Sequence, residues 1–112
     1  MDFGKALRHV MYRRFQGSKK ITSRHNARYI FNIYTDADFS DREFRALVAE
    51  EPKIITCTKG YYILPKKDKR GVEASIARWH LKESHSKAMA ILQRHAKQLS
   101  AVKRMELGKV LL

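Results

Sequence analysis

The stretch Phe39-Ser40-Asp41-Arg42-Glu43-Phe44-Arg45-Ala46-Leu47-Val48, followed past Pro52 by Lys53-Ile54-Ile55-Thr56-Cys57-Thr58-Lys59-Gly60-Tyr61-Tyr62-Ile63-Leu64, decides the fold class. Ser40 stands three residues before Glu43. That spacing lets the hydroxyl and the carboxylate each accept from the other's backbone amide, which is a capping box. A helix is therefore expected to begin at about residue 41, with Phe44, Leu47 and Val48 as its buried face. Phe39 can staple against Phe44 or Leu47, and Glu50-Glu51-Pro52 closes the helix. Lys53 to Cys57 and Tyr61 to Leu64 are β-branched or aromatic, so they read as two strands around Thr58-Lys59-Gly60. Gly60 supplies a positive-φ position for a tight hairpin.

Upstream, Phe3, Leu7, Val10, Met11 and Phe15 recur at three- and four-residue spacing, predicting a first helix over 3–15 that Gly17 and Ser18 end. Thr22 or Ser23 can cap a second helix over about 23–34, whose apolar face is Ala27, Ile30, Phe31 and Tyr34. Thr35-Asp36-Ala37-Asp38 reads as a polar turn. Downstream, Pro65 and Lys66-Lys67-Asp68-Lys69-Arg70-Gly71 form a basic connector. From Val72 to about Leu107 no proline or glycine interrupts a run of helix formers. Leu81, His85, Ala88, Leu92, Ala96, Leu99 and Val102 track one face there, with Val72, Ile76 and Trp79 extending it upstream. The organisation expected is a compact N-terminal domain over 1–65, a connector over 66–71 and a long amphipathic helix over 72–112.

Charge is distributed as unevenly as the elements. Twenty-four Lys and Arg against eleven Asp and Glu give a net charge of +13. Residues 1–34 carry eight basic and one acidic side chain (+7), and residues 35–56 three basic and six acidic (−3). Residues 57–71 return to +4 and residues 72–112 carry +5. An excess of this size points to a polyanion bound through counterion release, and its segregation points to a positioned one.

Three helices followed by a hairpin is the order of a winged helix-turn-helix. The fold class expected is mainly α with a small β-hairpin, a winged helix-turn-helix followed by a long C-terminal helix. In that arrangement the third helix enters the major groove and the hairpin reaches flanking backbone. Arg42 and Arg45 are then the base-reading candidates, on the side of the helix opposite its apolar face. Pairing of Arg42 with Asp38 and of Arg45 with Asp41 is the competing use of the same side chains. Lys19, Lys20, Arg24 and Arg28 are phosphate candidates beside a helix N-terminus. Lys59 at the hairpin tip and Lys66, Lys67, Lys69 and Arg70 after it are further ones, or simply a solvated loop.

The order Ile21-Thr22-Ser23-Arg24, a capped third helix, Ile54 to Leu64 with its Lys-Gly-Tyr-Tyr turn, and then a long basic helix resembles small phage-encoded winged-helix proteins of Gram-positive bacteria over residues 18–105. The second helix departs from that pattern in its bulk, at Asn26, Tyr29, Phe31 and Tyr34, and in the acidic turn after it. The resemblance implies a regulator or replication accessory that binds double-stranded DNA in a sequence-specific way. The stripe Leu81, Ala88, Leu92, Ala96, Leu99 and Val102 implies self-association as a homodimer, unless the helix folds back on the core.

Other chemistries find little support. No P-loop, GxGxxG or nucleophile elbow occurs, so no enzyme and no cofactor is expected. Cys57 is the only cysteine. His80 and His85 are five apart, off the spacing of a helical metal pair, and no metal is expected. Asp36, Asp38 and Asp41 have the composition of a magnesium site, but turn and helix-start chemistry explains them more simply. Trp79, Tyr61 and Tyr62 are either stacking platforms or core. No apolar run reaches the roughly 18 residues of a membrane span and no signal peptide is read, so a cytoplasmic location is expected. An RNA-binding or ribosome-associated protein, and a phage-type inhibitor that docks on an acidic partner, are the competing functions.

Overall fold

The computed structural model describes residues 1–111, and side-chain burial for residues 1–108. Leu112, the last residue of the expected C-terminal segment, lies outside the described residues. The chain is mainly helical: α1 (Phe3–Arg14), α2 (Arg24–Thr35), α3 (Asp41–Ala49), the strands β1 (Ile54–Cys57) and β2 (Gly60–Ile63), and α4 (Val72–Leu111). Two compact units are formed, Met1–His80 and Leu81–Leu112.

Local chemistry starts and stops the helices. The Asp2 carboxylate accepts from the Lys5 amide at 3.1 Å and Ser23 Oγ from the Asn26 amide at 3.1 Å, capping α1 and α2. Ser40 and Glu43 form the reciprocal capping box of α3. Helix α2 ends at Asp36, whose φ of 54° puts it in the left-handed region that a short polar side chain tolerates. Asn32 then fixes the turn. Its Oδ1 accepts from the Phe39 amide at 2.9 Å and its Nδ2 donates to the Phe39 carbonyl at 3.1 Å. The Phe39 ring meets Phe3 and Phe31 edge-on, which holds α1, α2 and the start of α3 together.

The hairpin is tighter than the sequence suggests. Cys57 pairs with Gly60, so the loop is Thr58-Lys59 and Gly60 belongs to β2. Gly60 has φ 138°, and a Cβ there would collide with the Thr22 carbonyl. Glycine is thus required both for the turn and for the close approach of residue 22. Thr22 and Tyr61 exchange both backbone hydrogen bonds at 2.9 Å. Farther along, Gly17 donates to Ile63 and Ile63 to Phe15, also at 2.9 Å. The segment between α1 and α2 therefore occupies the second edge of β2, and every residue of that strand is buried.

Side chains of β2 alternate between two clusters. Tyr61 and Ile63 join Leu7, Met11, Phe31, Phe44 and Val48 in the helical core. Tyr62, with Ile55, points to the opposite face, where Ala77 of α4 covers it. The first turns of α4 are thus part of the first unit, anchored also by Glu73, whose carboxylate accepts from the Ser18 amide at 3.1 Å and from its hydroxyl. Val72 and Trp79, expected to extend the apolar stripe, are instead exposed. The covering face runs through Glu73, Ala77 and His80, with Ala77 packed on Tyr62 and His80 edge-on to its ring. An ion pair in which Arg8 Nη1 donates to both Glu51 oxygens, at 2.7 and 2.9 Å, ties α1 to the end of α3. Glu51 is buried, and that hydrogen bond is the main cause that raises the Arg8 pKa.

Candidate nucleic-acid interface

The cationic residues fall into three groups, each positioned by a different part of the first unit. The first lies about Tyr61. Burial is the main cause that raises the pKa of this phenol, with Arg24 and Arg45 lowering it and Asp41 raising it. The Arg24 guanidinium sits 5.9 Å from the Tyr61 ring centroid. Arg24 is the first residue of α2, whose first turn holds no acidic side chain. Arg45 comes from α3, where its Nε meets Asp41 at 3.1 Å with both side chains 55 % exposed. Arg42 is exposed and forms no ion pair among the described residues, so the expected alternative pairing with Asp38 is not made, whereas that of Arg45 with Asp41 is.

The second group lies where the end of α1 meets the connector. Lys20, Lys67 and Lys69 line one depression together with Arg13, Tyr12 and Gln16. Lys66 stands beside it, its ammonium 4.9 Å from the Tyr12 ring centroid. Glu73 also lines the depression, but its carboxylate is engaged by Ser18. Arg70 is exposed, with a left-handed φ of 64°. The third group is Lys59 alone, exposed in the hairpin loop.

Two of the expected phosphate residues sit differently. Lys19 is exposed in the Ser18–Lys20 turn and does not line the depression that holds Lys20. Arg28 is half-buried beside His25, with its Nη2 3.4 Å from the ring Nδ1, in a cleft shared with Asp36 and Asp38. Arg13 and Tyr12 were not singled out by the sequence. The signal was thin: Arg13 sits in the last turn of a helix whose other cations look equivalent until the connector is seen to pass over it.

Tyr61 and Tyr62 are buried and so are not base-stacking platforms. Trp79 is exposed, edge-on to His80. Among the described residues no three His, Cys, Asp or Glu stand close enough to hold a metal ion, and no helix is long and apolar enough to cross a membrane. In the second unit, taken by itself, a lone helix covers none of its apolar side chains, and Leu81, Leu92, Leu99 and Val102 are exposed. Comparison with known proteins found no matching family model, curated protein or solved structure.

Proposed function

We propose that the chain binds double-stranded DNA in a sequence-specific way, as a winged helix-turn-helix in which α2, the turn 36–40 and α3 form the helix-turn-helix and β1–β2 the wing. The observation that carries this reading is the Arg24 guanidinium 5.9 Å from the Tyr61 ring centroid, beside α3, whose Phe44 packs on the same ring and which carries the exposed Arg42 and Arg45. The pair between Asp41 and Arg45 does not oppose it. An exposed i,i+4 pair is worth about 0.3–0.5 kcal/mol, which one phosphate or base contact exceeds. Strand pairing on both edges of β2 holds the hairpin rigidly against the helices, as a wing requires.

In this reading Arg42 and Arg45 read bases, while Arg24, Arg28, Lys19, Lys20 and Lys59 contact phosphates. Lys66, Lys67, Lys69 and Arg70 take a neighbouring stretch of backbone. A second copy pairs through Leu81, Ala88, Leu92, Ala96, Leu99 and Val102, which would set two α3 helices on a palindromic site. The biological role is that of a phage-type regulator or replication accessory. Gel-shift titrations against duplex DNA, structured RNA and single strands test it at about 0.1 M salt. Tightest binding to a selected duplex is expected. Preference for structured RNA, or no binding to any of the three, would contradict it.

A further inference from the structure

A groove on the first unit remains after the basic groups are assigned. It runs along the seam of α1 and α2, with Val10 and Ile30 at its floor and Tyr29, Ile33 and Tyr34 as its wall. These three wall residues are 59 %, 63 % and 53 % exposed, although each is large and apolar or aromatic. Three such side chains in six residues of one helix make a contiguous patch, which a solvated surface does not need. Tyr34 is already stacked on His9, with ring centroids 5.4 Å apart. Past His9 the groove continues to Lys5 and Met1.

The charges at its margins define the occupant. Arg13 and Arg14 line one end and Lys5 the other. Among the described residues Asp2, whose carboxylate caps α1, is the one acidic side chain lining it, while Asp36 and Asp38 line an adjoining cleft that shares Tyr29 and Ile33. A second copy's long helix is a poor occupant, since residues 72–112 carry a net +5 of their own. A nucleic-acid strand would satisfy the cations but gains nothing from Val10, Ile30 and Ile33. An amphipathic helix with apolar residues at i, i+3, i+4 and i+7 and carboxylates beside them satisfies both.

We propose that the α1–α2 groove docks an acidic amphipathic helix of a partner protein. Apart from Arg13, which also lines the depression with Lys20, Lys67 and Lys69, the site uses none of the residues assigned to DNA. The test is amide chemical-shift mapping on the isotope-labelled full chain. The probe is a synthetic peptide of about five helical turns, with leucines at helical spacing and glutamates elsewhere. A scrambled peptide of the same composition, a lysine-for-glutamate version and a thymidine oligonucleotide serve as controls. Shifts are expected to concentrate at residues 5–14 and 29–34 for the acidic helical peptide alone. Ile33→Asp, at an exposed position, should weaken its binding about tenfold. Lys5→Glu with Arg14→Glu should turn the preference toward the lysine peptide. Equal shifts with the scrambled peptide, or spread over the 66–70 connector, would overturn the proposal. So would oligonucleotide shifts that map to the same groove.

Discussion

Tyr61 and Tyr62 are adjacent on β2, equally buried, and have opposite surroundings. The Tyr61 ring lies in the helical core against Phe44, with the Arg24 guanidinium 5.9 Å from its centroid. The Tyr62 ring lies on the other face, under Ala77 and edge-on to His80, and its hydroxyl is buried without a hydrogen-bond partner among the described residues. Burial, with Glu73 and Cys57 nearby, pushes its pKa up to about 12. One tyrosine thus connects the core to a charged surface while the other seals a sheet against α4. Strand alternation assigns these roles, since a shift of one residue in register would exchange them.

Four variants probe that contrast. On the Tyr61 side, Phe31→Ala should have the largest effect, lowering stability by about 3–5 kcal/mol in denaturant unfolding. A loss much below that would mean the helical core is not the main source of stability. On the Tyr62 side, Glu73→Ala should remove about 1–3 kcal/mol by orphaning the Ser18 amide, and amide exchange at residues 72–80 should accelerate. If exchange there is unchanged, α4 is not held to the sheet through Glu73.

Ser40→Ala should cost about 1 kcal/mol, read by the same unfolding method. The Glu43 pKa is lowered first by its hydrogen bonds with Ser40. Its contribution is therefore present above the unfolded value of 4.5 and is lost as pH falls through the lower folded value. The Ser40→Ala chain should show a weaker acid dependence across that window. Smallest of all is Tyr62→Phe. Deleting a hydroxyl that bonds to nothing should be near neutral at pH 7. Its raised pKa means that the neutral form is favoured by folding. Its contribution is full below about pH 10 and falls as pH rises toward 12, and the Phe variant should show a shallower decline, with that of Tyr61 remaining.

What sequence reading recovered was local. Ser23 and Ser40 with Glu43 act within a few residues of themselves, so their spacing is the whole signal, whereas Gly60 was legible for its turn and not for the room it leaves Thr22. The pairing of residues 15–22 with β2 has no such signature, because isolated bridges leave no alternation to detect. Arg8 and Glu51 meet across 43 positions, so neither identity predicts the other. On α4 the eye follows large residues such as Val72 and Trp79, whereas the fit against Tyr62 selects Ala77. The candidate site divides in the same way. Its residues were visible as cations, but the grouping of Arg24 with Arg45, and of Arg13 with Lys67 and Lys69, depends on tertiary contacts.

DNA binding on the Tyr61 side is tested most directly by one comparison on a selected duplex: Arg42→Ala against the wild-type chain, each titrated on that duplex and on a shuffled one over a salt series. A base contact from α3 predicts that Arg42→Ala loses about 1–3 kcal/mol of discrimination between the two duplexes while its salt slope changes little. Full discrimination retained by Arg42→Ala, with only a uniform loss on both duplexes, would contradict it.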